Sequence, residues 1–235
     1  MTLSAYREVI LSSKSDDEAA ILAIFRDVFA REPNALFSLL NIYKELPICN
    51  NATIFDIKGK NIEFQATPLQ IAAIANGTET IIQAPFFNMS VMGQMVYLDL
   101  PHQLVSLGKF SYAEVLIDKR NTVRVKLRIP LNVMLHADGK TIPGVVRDIS
   151  LGGCSLTTLL GADLEAAEDL SLHIKILNEG KVVEIDVPAK VVRVGPGPPH
   201  DCAMMFQHTS ESERILSVFI YQRQLEIIRE LREKA

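Results

Sequence analysis

Residues 119–129 read KRNTVRVKLRI. From Val123 to Ile129 aliphatic and cationic residues alternate strictly, so in a strand Arg124, Lys126 and Arg128 share one face while Val123, Val125, Leu127 and Ile129 share the other. That is an amphipathic β-strand with a cationic face, in a chain whose 24 basic and 28 acidic side chains give a formal net charge of -4. A solvated outer face explains the pattern as simply as an anion site does. The residues that follow bear on the choice.

From Val123 onward the pattern is a succession of short strands. NVMLHA (132–137) and VVRDIS (145–150) flank Asp138-Gly139-Lys140, and LHIKIL (172–177) and VVEIDV (182–187) flank Asn178-Glu179-Gly180. AKVVRV (189–194) precedes the turn-rich run 195–199, which leads into CAMMFQ (202–207). Short strands with turn signals at this spacing predict a small antiparallel barrel or sandwich. Ser210 and Glu213 then predict the cap of a terminal helix with Ile215, Val218, Phe219, Tyr221, Leu225, Ile228 and Leu231 on or near one side. Packing on its own barrel is the simple role for that helix, with self-association as a homodimer the alternative.

Upstream, Ser15 and Glu18 read as a capping box before Ile21, Phe25 and Val28, which share a helix face up to Pro33. Leu36, Leu40 and Tyr43 suggest a second helix ending before Pro47. ATIFDI (52–57) and NIEFQ (61–65) around Lys58-Gly59-Lys60 form a predicted hairpin, and Thr67-Pro68 with Gln70 opens a short helix that ends at Asn76-Gly77. The expected organisation is a helical segment at 1–48, a β-rich domain at 49–114 and a barrel with its helix at 115–235. A faint echo between DIKGKNI (56–62) and HADGKTI (136–142) makes a related barrel a candidate for the N-terminal half.

Composition removes several function classes. Hydrophobic residues at 48% argue for a folded chain, and an acidic balance argues against general nucleic-acid binding, which draws on a surplus of cations. Trp is absent and aromatics are 6%, so the stacking platform of a single-strand binder is lacking too. Cys49, Cys154 and Cys202 have no metal-ligand spacing and read as buried or free thiols in a reducing compartment. The start, MTLSAYREVILSS, is unlike a secretory signal, and the uncharged run 80–98 is interrupted by Pro85, Asn88, Gly93 and two glutamines, which suits two buried strands better than a membrane span. The expected location is the cytoplasm. No metal, Walker, G-x-G-x-x-G or G-x-S-x-G motif appears, so no catalytic centre is expected.

Arg120 and Arg124 form R-x-x-x-R, and 24 residues after Arg124 comes Asp148-Ile-Ser150-Leu-Gly152-Gly153. With this pair of motifs the chain, over roughly 115–230, resembles the PilZ domain family, whose signature is R-x-x-x-R followed by [D/N]-x-S-x-x-G. Its N-terminal half is similar to that of flagellar-brake-type two-domain members. The resemblance implies a mainly β protein whose C-terminal half is a six-stranded antiparallel barrel with a terminal helix, preceded by a helix-plus-β domain. It further implies a non-enzymatic effector of the bacterial messenger cyclic di-GMP, acting on motility, pili or exopolysaccharide through a protein partner such as a flagellar motor, pilus or polysaccharide machinery. Arg120, Arg124, Asp148, Ser150 and Gly153 match the signature, and Lys119 is placed to touch a phosphate.

The chemistry suits these residue types. An arginine fork matches a phosphate or the O6/N7 edge of guanine, and an ionised carboxylate accepts from the opposite guanine edge. Ser150 can donate to phosphate or fix Asp148, and Gly153 supplies close backbone approach or a positive φ. Because the arginine segment joins the two halves, a ligand that clamps it would also rearrange them. The alternative is a barrel that carries the signature but meets a protein instead of a nucleotide. Each residue also has a purely structural role open to it: surface cations, an ordered strand end, a glycine bulge.

Overall fold

The structure, a computed structural model, describes residues 6–116, 122–161, 164, 170–178 and 180–234. Lys119 and Arg120 therefore lie outside the described residues. The chain forms two compact units, one comprising Met1–Tyr43, Pro47–Arg120 and Ile228–Ala235, the other Lys44–Leu46 and Asn121–Ile227.

The first unit contains β1 (Tyr6–Val9), α1 (Lys14–Arg31), β2 (Phe37–Tyr43), β3 (Leu46–Lys58), β4 (Asn61–Gln65), α2 (Pro68–Ala75), β5 (Glu79–Gln83), β6 (Ser90–Asp99) and β7 (Leu104–Val115). Its sheet runs β1-β7-β4-β3-β2-β5-β6, and β6 also pairs with β7, so six strands close into a ring. Phe25 of α1 fills that ring, its side chain surrounded by Phe37, Phe64, Phe87 and Phe110 at centroid distances of 5.5, 5.9, 5.0 and 5.2 Å. Tilted and edge-on aromatic contacts at this spacing add to the area they bury.

The second unit carries β8 (Arg124–Ala137), β9 (Lys140–Ser150), β10 (Gly153–Thr158), β11 (Leu170–Asn178), β12 (Lys181–Val194) and β13 (His200–Phe206). These close into a six-stranded antiparallel barrel, β10-β13-β12-β11-β8-β9, and α3 (Ser210–Arg232) follows it. The core here is aliphatic: Val125, Leu135, Ile142, Val146, Ile149, Leu172, Ile174 and Val187 are all at or below 1% exposure. Asp138 and Gly139 take φ of 46° and 79° in the β8–β9 turn, the positive pair that a two-residue hairpin asks for.

Walking around each ring from its first strand gives one order. The first reads β2-β3-β4-β7-β6-β5 and the second β8-β9-β10-β13-β12-β11, so in both the strands run 1-2-3-6-5-4. The related barrel expected upstream is present as topology. The Gly-Lys turns that suggested it are not equivalent: Lys58-Gly59-Lys60 joins the second and third strands of its ring, whereas Asp138-Gly139-Lys140 joins the first and second. The true counterpart of Asp56-Ile57-Lys58 is Asp148-Ile149-Ser150, since Lys58 faces Asn61 and Ser150 faces Gly153 across two-residue hairpins.

Several local expectations are corrected. The expected helix at 36–43 is strand β2, buried on both faces: Phe37 and Leu39 enter the main core, while Leu40 packs with Ile81, Met92 and Ala113. A strand covered on both sides loses the alternation that marks a half-buried one. The expected break at 48/49 falls inside β3. The cap of α1 is Ser13, whose hydroxyl accepts from the Asp16 amide, not Ser15. Buried Asp17 explains the shift, taking the amides of Leu11 at 2.8 Å and Ser12 at 3.2 Å and so fixing the chain ahead of the helix. Thr67 does cap α2, with Pro68 at its start.

At α3 the cap is Thr209, not Ser210: Thr209 Oγ1 accepts from the Ser212 amide and Ser212 Oγ accepts from the Thr209 amide. The buried stripe of α3 includes Leu216, Ile220, Arg223 and Ile227, leaving Tyr221 and Leu225 at 60% and 46% exposure. Sequence reading passes over Arg223 because it is charged. In the fold its Nε donates to the Lys126 carbonyl at 2.9 Å and its Nη1 to Glu226 at 2.8 Å.

Candidate ligand site on the second barrel

The alternation at the start of β8 holds where the charges are. Val125 and Leu127 are buried, while Arg124 is half-buried and Lys126 and Arg128 exposed on the outer face. It fails at Ile129, which is 74% exposed instead of buried. The β8–β9 register slips between Lys126 and Leu131, and Pro130, with no N–H to give the ladder, sits within that bulge.

Pairing then brings together the described residues of the signature. Arg124 faces Ser150 and Lys126 faces Asp148 across β8–β9; Ser150 faces Gly153 and Asp148 faces Ser155 across β9–β10. Arg124 Nε lies 3.3 Å from Asp148 Oδ1, and Arg124 Nη1 lies 3.5 Å from Ser155 Oγ. Asp148 therefore holds the guanidinium by an ion pair on its Nε side, with Ser155 near Nη1. A planar group held on one edge is already oriented for bidentate contact, which lowers the ordering cost of binding.

The hairpin Leu151-Gly152 is fixed from three directions. The Gly152 amide donates to Thr122 Oγ1 at 3.2 Å, its carbonyl accepts from the Phe206 amide at 3.1 Å, and the Leu151 carbonyl is bonded to His208 Nε2. Since a carbonyl can only accept, Nε2 of His208 is the donor.

Gly153 has the positive φ and close backbone approach expected of it, and Ser150 has a partner within its own hairpin. Ser150 is buried, and its hydroxyl donates to the Gly153 carbonyl at 3.2 Å, so it steadies the hairpin where donation to a phosphate or to Asp148 was expected. Gly153 has φ of 155°, and a Cβ there would lie 1.9 Å from the Met204 carbonyl oxygen. The close approach it permits is to β13 of its own barrel. Beneath them, the buried Cys154 thiol is held well above its ordinary range, by burial first and the Asp148 charge second, with Arg124 opposing. It is an inert core group at neutral pH.

Ser155 and Thr122 were not singled out in the sequence. Ser155 could have been found by counting back from the hairpin, which places it opposite Asp148; Thr122 carries no signal. Cys49, Cys154 and Cys202 are all free thiols. Among the described residues no group of three or more His, Cys, Asp or Glu could hold a metal, and no helix is long and apolar enough to cross a membrane.

Residues 118–222 match the model of the PilZ domain family. The chain carries a PilZ domain. No curated protein matches the chain. Among solved structures it is similar to the inhibitor of motility MotI/DgrA of Bacillus subtilis, at 15% identity over 83% of this chain and 98% of that one, with a TM-score of 0.40. It is also similar to MrkH of K. pneumonia in complex with c-di-GMP, at 15% identity over 91% and 96% of the two chains and a TM-score of 0.39. A third similarity is to YcgR of Escherichia coli in complex with c-di-GMP, at 16% identity over 98% and 95% of the two chains and a TM-score of 0.37. The PilZ domain spans β8 to β13 and most of α3, and the described signature residues, Arg124, Asp148, Ser150 and Gly153, lie at one end of β8, β9 and β10.

Proposed function

We propose that this PilZ protein is a non-enzymatic receptor for cyclic di-GMP that binds the messenger on the outer face of its second barrel. The observation that carries the reading is the Arg124–Asp148 pair, 3.3 Å apart beside the tethered hairpin 151–152 within the PilZ match. Arg124 supplies the fork for a phosphate or the O6/N7 edge of a guanine, and Asp148 accepts from the donors on a guanine's opposite edge. Arg120 and Lys119 complete the cationic side in this reading. Ser150 and Gly153 act indirectly, by holding the hairpin backbone in place.

The response belongs to the same proposal: binding at the segment 119–128 rearranges the two halves, and the output is a contact with a protein partner in motility, pilus or polysaccharide control. Calorimetric titration of the full chain with cyclic di-GMP, GTP and GMP tests it. Saturable binding of cyclic di-GMP, with GTP and GMP far weaker, is expected, and slower amide exchange in 119–128 should accompany it. Heat from GTP equal to that from cyclic di-GMP would refute the ligand assignment. No heat from any nucleotide leaves the barrel as a protein-interaction module.

A further inference from the structure

We infer that Arg193, far from the signature in sequence, is a ligand-binding residue that holds a second guanine at the opposite edge of the same site; this rests on the cyclic di-GMP reading above. A bulge places Arg193. Along β12–β13 the partners are Val191 with Met204 and then Arg193 with Ala203, so Val192 is an extra residue and stands 64% exposed. Without it, Arg193 would face Cys202, which points into the core at 2% exposure. The bulge turns Arg193 outward, the re-aiming that such insertions perform beside binding sites.

Register then lines up one outer row across five strands: Lys126, Asp148, Ser155, Ala203 and Arg193. The neighbouring row is Arg124, Ser150, Gly153, Met205 and Lys190. Between the signature pair and Arg193 the floor consists of Gly153, Ser155 and Ala203, all small, with Met205 at 46% exposure on one edge. A planar base can lie against such a floor, and a thioether is a favourable neighbour for it. Three strand spacings separate Asp148 from Arg193, about 14 Å at about 4.8 Å each, so the two arginines approach the floor from opposite sides.

Arg193 is exposed and makes no hydrogen bond or ion pair among the described residues. The next outward residue on β13, Asp201, is occupied by Thr157 Oγ1 at 3.0 Å. An acidic protein surface or anionic membrane would also be drawn to cations here, but Asp148, between Lys126 and Ser155 in the row, would repel it. A ligand bearing both acceptors and donors fits the sequence of cation, acid, hydroxyl and cation; a fork at Arg193 matches the O6/N7 edge of a guanine.

The test is a titration of the full chain with cyclic di-GMP and cyclic di-AMP, for wild type, R193A, R193K and, as a remote exposed cation on the same strand, K181A. R193A should weaken cyclic di-GMP binding by about tenfold or more, R193K should not restore it, and K181A should bind like wild type. Because adenine offers a donor where guanine offers O6, R193A should also narrow the preference for the guanine dinucleotide. If wild type binds cyclic di-GMP and R193A binds it as K181A does, Arg193 lies outside the site while the receptor reading stands. Absence of binding by wild type overturns both.

Discussion

The two barrels share a strand order and differ in what their outer faces do with charge. In the first, Asp56 occupies the place of Asp148, Lys58 that of Ser150 and Glu63 that of Ser155. Even the bulge recurs: Phe55 before Asp56 and Arg147 before Asp148 are the unpaired residues of their strands. In the first barrel Lys58 closes on Glu63 at 2.8 Å and reaches Asp56 at 3.7 Å, so the cation at that hairpin is already held by two carboxylates. In the second, serines replace the lysine and the glutamate, and the cation comes from the neighbouring strand as Arg124. Arg147, Arg128, Lys190 and Arg193 make no ion pair among the described residues. Topology is common to both barrels, while the charge that each outer face leaves without an ion pair follows from a few outward positions.

The hairpin glycines offer the hardest test of that comparison. Gly153→Ala must push a Cβ into the Met204 carbonyl, 1.9 Å away, and should cost about 3 kcal/mol or more, enough to unfold the second barrel in part. Gly59→Ala meets nothing within 4 Å and carries only the cost of its positive φ, about 1 kcal/mol. Urea unfolding of the two variants would show whether the hairpins differ this way; equal losses would mean that the second is no more tightly built.

Next in size is the contrast between Arg124 and Lys58. Arg124→Ala should lower cyclic di-GMP affinity by about ten- to a hundredfold, and Arg124→Lys should recover little because a point charge cannot make the paired contact. Lys58→Ala, at the matching hairpin, should leave the titration unchanged. A loss shared equally by both would point to diffuse attraction over the whole molecule.

Cysteine chemistry sharpens the view of the core under the site. Cys49 is exposed, whereas Cys154 and Cys202 are buried, so alkylation under native conditions should modify Cys49 and spare the other two. The Cys154 thiol titrates higher folded than unfolded, so its contribution to stability is intact below the unfolded value near about 8.5 and is lost as pH rises beyond it. Cys154→Val should flatten that alkaline decline in an unfolding series across pH. A slope unchanged by the substitution would assign the decline to other groups.

The smallest effect belongs to Arg128. It is exposed and lies in the bulge of β8, outside both rows, so Arg128→Ala should weaken binding only a few-fold and less so as salt rises. An effect as large and salt-independent as that of Arg124 would extend the specific site into the bulge.

Short-range pattern was legible in the chain alone. Alternation from Arg124 to Arg128, positive-φ turns at Asp138-Gly139 and Gly180, the proline-started α2 and the face of α1 through Ile21, Phe25 and Val28 are all properties of a few consecutive residues, and the structure contains them. The order of the signature was legible too, because R-x-x-x-R and D-x-S-x-x-G are local strings. Tertiary structure decided what depends on a partner strand. It made β2 a strand by covering both its faces, paired Asp56 with Glu63 and Asp148 with Ser155 through register, gave Ser150 and Gly153 to the hairpin, and turned Arg193 outward by a bulge whose existence is defined only against β13. Strand pairing is a contact between residues distant in sequence, and one residue of slip reverses every side chain, so local pattern cannot fix it.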